Sequence, residues 1–79
     1  MKSSIHVKLF GLLAEAAGNS FIEIERVNDT DSLREKILSD FPALKNHSFI
    51  IAVERQIVGD NTSLKPGDEV VLLPPFAGG

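Results

Sequence analysis

With 79 residues, the chain has room for one small domain and one core, and a large enclosed catalytic pocket is excluded. Its 43% hydrophobic and 24% charged residues are the mixture of a globular protein, while a net charge of −3 with only eight scattered basic residues argues against nucleic acid as a partner. The absence of cysteine removes disulfides, thiolate metal sites and a cysteine nucleophile.

The first residues, MKSSIHVKLFGLLAEAAG, carry an early lysine, an apolar patch and the triplet Ala14-Glu15-Ala16, as a secretory signal does. Lys8 interrupts that patch, however, and Leu9 to Ala14 is shorter than the ~7–15 apolar residues of a signal core. No stretch approaches the ~20 apolar residues of a membrane helix, so a soluble, cytoplasmic protein with no membrane partner is expected.

From Ser4 the pattern alternates, with Ile5, Val7 and Leu9 on one side and His6, Lys8 and Phe10 on the other, which predicts a half-buried strand. The segment LLAEAAG is rich in helix formers and closes on Gly18-Asn19, predicting a short helix. FIEIE alternates again as a second strand with Glu23 and Glu25 on its wet face, and VNDTD is turn chemistry in which Asp29 and Asp31 are turn and cap groups. In TDSLREKILSDFP, Leu33, Ile37, Leu38 and Phe41 recur at helical spacing. Ser32 with Glu35 matches a capping box, Thr30 is a competing N-cap, and Pro42 ends the helix after Asp40-Phe41.

The apolar run FIIAV, Phe49 to Val53, predicts a central strand buried on both faces. Glu54-Arg55-Gln56 is a turn into a brief Ile57-Val58 strand, GDNTSL is a loop, and Lys65-Pro66-Gly67-Asp68 is a tight turn before a last strand, Glu69 to Leu73. One amphipathic helix cannot cover two sheet faces, so the expected fold is α+β: a ubiquitin-like β-grasp, a mixed sheet with one main helix packed across one face. Residues 1–73 would form this domain and 74–79 an extended tail. The apolar character of both parities in Phe49–Val53 and Val70–Leu73 leaves part of the second face apolar, as a contact surface would be.

The internal residues offer little chemistry. There is no phosphate-binding glycine loop, no H-E-x-x-H and no acidic calcium loop; His6 and His47 lie in different elements, so no metal site is expected. The acidic residues have no pocket in which to act as a general acid and base. What remains is the ending, Pro74-Pro75-Phe76-Ala77-Gly78-Gly79. Proline lacks an amide donor, so Pro74-Pro75 stops the sheet ladder and starts a stiff arm. Phe76 is an apolar anchor at its base, while Ala77, Gly78 and Gly79 present almost no bulk and can thread a narrow channel. The terminal carboxylate, ionised at neutral pH, is a poor electrophile until it is activated. Gly79 is therefore the one residue expected to carry chemistry, with catalytic side chains expected on other proteins.

The stretch LKPGDEVVLLPPFAGG, supported by HVKLFGLLAEAAG and DSLREKI, resembles the small, sulfur-carrier subunits of molybdopterin synthase, the MoaD family among the ubiquitin-like β-grasp proteins. The resemblance implies that Gly79 is adenylated by an E1-like adenylating enzyme using ATP and Mg. A sulfur donor protein would then convert it to a thiocarboxylate, and the tail would deliver sulfur to cyclic pyranopterin monophosphate in the large subunit. It also implies a heterotetramer of two small and two large subunits and no cofactor bound by the chain itself. Phe10, Leu73 and Phe76 are the expected partner interface. A carrier for the thiamine thiazole, a ubiquitin-like protein modifier and a plain interaction module remain as alternatives at this point.

Overall fold

The computed structural model describes residues 4–75. In chain order it contains β1 (Ser4–Leu9), α1 (Leu12–Ala17), β2 (Phe21–Glu25), α2 (Thr30–Asp40), a 3-10 helix (Pro42–Asn46), β3 (Ile50–Val53), β4 (Gln56–Val58) and β5 (Glu69–Leu73). The five strands form one sheet in the order β2-β1-β5-β3-β4, with β1 and β5 parallel and every other pair antiparallel. This is the expected β-grasp.

Strand alternation builds the core directly. Ile5, Val7 and Leu9 are buried, and the register sets Val7 between Ile22 of β2 and Val70 of β5. On the other side of β5, Leu72 faces Ile51 and Val70 faces Val53. Leu33 and Ile37, one helical turn apart on α2, are fully buried in the same cluster. α1 adds Leu13 and ends at Gly18, whose φ of 77° lets its N–H reach back to the Ala14 and Glu15 carbonyls.

The structure corrects the sequence reading in three places. The N-cap of α2 is Asp29, whose carboxylate accepts from the Ser32 N–H at 2.8 Å; neither Ser32 nor Thr30 caps the helix. Thr30 is buried instead, its Oγ1 accepting from the Thr62 N–H at 2.9 Å and lying 3.4 Å from the Asn61 Oδ1, so it ties the helix to the loop that leads into β5. Second, β3 begins at Ile50, one residue later than expected; it is the interior strand buried on both faces that the apolar run predicts, with Ile51, Ala52 and Val53 all buried, while β5 is the middle one of the five. Third, the residues after Pro42 form a 3-10 helix that buries Leu44 completely, a turn that carries too few residues to show a period.

The β3–β4 turn is unusual in composition. Glu54 and Arg55 have φ of 50° and 70°, the left-handed pair that a two-residue hairpin turn takes and that Asn-Gly normally supplies. The Glu54 N–H donates to the Glu69 carbonyl at 2.9 Å, and its carboxylate accepts from the Glu69 N–H at 2.6 Å. The side chain thus takes over one rung of the β3–β5 ladder and holds the turn against its strain.

Candidate functional site

β5 is the strand that leads to the C-terminus, and it lies between β1 and β3. Its last antiparallel pair is Leu73 with Ile50, and on the other side the Phe10 N–H still donates to the Leu72 carbonyl at 3.2 Å. Pro74 then ends the ladder, having no N–H to offer. The chain therefore leaves from the middle of one end of the sheet, with strand neighbours on both flanks.

The sheet face turned away from α2 is graded along the strands. Far from the exit it is polar: His6 Nε2 lies 3.0 Å from the Glu23 carboxylate, and Glu69 stands beside His6 in register. One step nearer, a row runs across the sheet from Phe21 through Lys8, Val71 and Ala52 to Ile57. At the exit stand Phe10, Leu73 and Ile50. Phe10 is 41% exposed, Leu73 and Ile50 are half-buried, and the Lys8 Nζ sits 5.5 Å from the centre of the Phe10 ring. Phe21 and Ile57 are more exposed still. The end of this face at which the chain leaves the sheet is thus apolar and partly exposed.

The other side of the exit is closed by loops. Pro74 and Pro75 line a recess of about 180 Å³ together with Leu12, Leu13, Asn46, His47 and Ser48. Gly11, with φ of 58°, turns β1 into α1 directly beside Pro74.

The approach to β5 is anchored from below. Asn61 Oδ1 accepts from the Asp31 N–H at 2.9 Å, the Thr30 N–H donates to the Thr62 carbonyl, and the Leu64 N–H donates to the Asn28 carbonyl. The bond from the Ser32 N–H, with further bonds from the Ser32 and Asn61 side chains, holds the Asp29 carboxyl below its ordinary range.

Of the residues singled out from sequence, Phe10, Leu73, Pro74 and Pro75 are thus brought to one end of the molecule. Phe76, Ala77, Gly78 and Gly79 lie outside the described residues. Ile50, Ala52 and Val71 lie on the apolar second face expected from Phe49–Val53 and Val70–Leu73; the sequence reading missed Ile57 as a part of the same band, and Gly11 as the neighbour of Pro74. Alternation could flag Val71, but only the strand order puts it between Lys8 and Ala52. Among the described residues, no group of three or more His, Asp or Glu could hold a metal, and no helix is long and apolar enough to cross a membrane. The chemistry these residues can supply is recognition: an apolar face and a rigid exit.

The model of the ThiS family matches residues 7–79. The molybdopterin synthase sulfur carrier subunit of Mycobacterium tuberculosis is 30% identical over 80 residues, which cover 95% of this chain and 96% of that protein. Among solved structures, small archaeal modifier protein 1 of Methanosarcina acetivorans superposes with a TM-score of 0.82 at 26% identity, covering 100% of this chain and 99% of the other. A chain of the protein–protein complex of subunits 1 and 2 of the molybdopterin-converting factor of Helicobacter pylori matches with a TM-score of 0.72 at 33% identity over 96% of this chain and 99% of the other.

Proposed function

We propose, since this chain belongs to the ThiS family, that it is the sulfur-carrier subunit of a molybdopterin synthase. The observation that carries the reading is the end-to-end likeness to a sulfur carrier subunit, in a chain whose central strand runs into Pro74-Pro75-Phe76-Ala77-Gly78-Gly79. In this reading the Gly79 carboxylate attacks the α-phosphate of ATP on an E1-like adenylating enzyme, and pyrophosphate leaves. Sulfide supplied by a donor protein then attacks the acyl carbon, a C–S bond replaces the C–O bond to AMP, AMP and a proton leave, and the terminus becomes a thiocarboxylate. ATP and Mg belong to the activating partner.

The charged tail enters the large subunit, its sulfur bonds to a carbon of cyclic pyranopterin monophosphate, and water then cleaves the acyl C–S bond, which leaves sulfur on the substrate and returns the terminus to a carboxylate. Glycine suits this cycle because it presents no Cβ to the attacking group and has no stereocentre. The apolar band at the exit, with Phe10 and Leu73, is the surface on which the large subunit docks, and Phe76, three positions after Leu73 in the sequence, is a further contact in this reading. The Helicobacter relative, which is found in complex with a second subunit, supports that partner class.

The likeness to an archaeal modifier protein favours a second reading, in which activated Gly79 is passed to lysines of other proteins. Intact mass spectrometry separates the two after incubation with an activating enzyme, ATP and a sulfur source. The carrier gains the mass of one sulfur in place of one oxygen, and the charged product then forms molybdopterin with the large subunit. An unchanged mass overturns the carrier reading, and a ladder of lysine conjugates in cell extract replaces it with the modifier.

A further inference from the structure

We propose that Gly11 is a positioning residue for the tail: its left-handed turn seats Pro74 and so sets the direction in which the chain leaves the sheet. The inference rests on the carrier reading for its purpose, and on geometry for its substance. Gly11 has φ of 58° and ψ of −131°, a conformation open to glycine and costly for an L side chain. It occupies the N-cap of α1 without a side-chain cap, yet its carbonyl already accepts from the Ala14 N–H at 3.1 Å. An L-Cβ placed on Gly11 would stand 3.4 Å from the Pro74 Cγ, whereas the same atom on Gly18, Gly59 or Gly67 would meet nothing within 4 Å.

Gly11 is thus the described glycine whose turn lies beside the start of the tail, with room for no more than an ordinary van der Waals contact between an added Cβ and Pro74. The Phe10 N–H bond to the Leu72 carbonyl at 3.2 Å ties that turn to β5 two residues before Pro74. On the opposite side, Asn46, His47 and Ser48 line the recess that Pro74 and Pro75 share. Each proline has its φ locked and only ψ free, so Pro74 and Pro75 absorb less of a tilt than two ordinary residues would. A terminus that must meet a nucleotide inside another protein is sensitive to such a tilt, because a misplacement of 1 Å can cost a reaction up to about 100-fold.

The test uses full-length chains, obtained by chemical synthesis where D-alanine is needed: wild type, Gly11→Ala, D-alanine at position 11, and Pro74→Ala. Two readouts are taken at a temperature where each is folded. Residual dipolar couplings of the amides after Pro75, relative to those of the sheet, report tail direction. ATP–pyrophosphate exchange with an E1-like adenylating enzyme reports kcat and KM. Gly11→Ala should alter the tail couplings, leave the sheet couplings in place, and lower kcat about ten-fold with KM within about two-fold of wild type. D-alanine, which favours positive φ, should restore both readouts, and Pro74→Ala should reproduce part of the loss.

Unchanged couplings and kcat in Gly11→Ala and Pro74→Ala overturn the inference, as does a D-alanine chain that stays as impaired as the L-alanine one. Should Gly11→Ala not fold, Pro74→Ala decides by the same two readouts. A wild-type chain that supports no exchange at all would overturn the carrier reading, while the couplings would still decide the role of Gly11.

Discussion

If the apolar end of the open sheet face docks the large subunit, Phe10→Ala must weaken that docking by an amount the structure sets. Phe10 keeps 41% of its surface exposed in the free chain. For an aromatic side chain of about 200 Å² this leaves about 80 Å² to bury on docking, worth about 2 kcal/mol at ~25 cal/mol per Å². That corresponds to a loss of about 30-fold in affinity for the large subunit, as an upper value, since docking also orders side chains. Isothermal titration of the purified subunits reads the change, with Ile57→Ala as a comparison, at the β4 edge of the same face. Because the rest of the Phe10 ring is buried within the chain, the variant also loses fold stability, so both titrations belong well below its melting temperature. A Phe10→Ala chain that is folded and binds within about two-fold of wild type would refute the assignment of this end of the face as the docking surface.

Thr30→Val keeps shape but leaves the Thr62 N–H without its acceptor at the base of α2, and should cost about 1–3 kcal/mol in urea unfolding. Asp29→Asn keeps an oxygen for the Ser32 N–H but removes the charge. Because the folded carboxyl is held below its ordinary 3.8, the stability it adds is present above that pH and fades as pH falls through the lower folded value. The gap between wild type and Asp29→Asn should therefore be wide at pH 7 and narrow in acid, by urea midpoints at each pH. Arg55→Gly relieves the exposed left-handed position in the β3–β4 turn and should raise stability by up to about 1 kcal/mol, the strain relieved exceeding the added chain entropy. Deleting Gly79 should abolish sulfur transfer in the coupled assay while leaving the melting temperature unchanged.

The failures of the sequence reading are local and have physical causes. Asp29, Thr30 and Ser32 are all competent N-caps by residue type, and the choice went to Asp29 because the loop carrying Asn61 and Thr62 arrives beside Thr30 and takes its hydroxyl and its N–H. Leu44 is core, but its five-residue 3-10 turn is too short for a hydrophobic period to appear. Glu54-Arg55 looks like an ordinary polar turn; its left-handed geometry is tolerated because the Glu54 carboxylate completes a ladder rung on Glu69, a residue 15 positions away.

The sequence by itself determined the number and kind of the main elements, the core parity of β1 and β2, and the place where the last strand must stop. Alternation, helical spacing and the missing N–H of proline are properties of adjacent residues, and they survive in any context. Strand order is a different matter. That β5 is central, that Val71 continues the row of Lys8 and Phe21, and that Gly11 lies against Pro74 all depend on pairing between segments more than sixty residues apart. Only the tertiary structure decided these, because register is set by the combined burial of every strand at once.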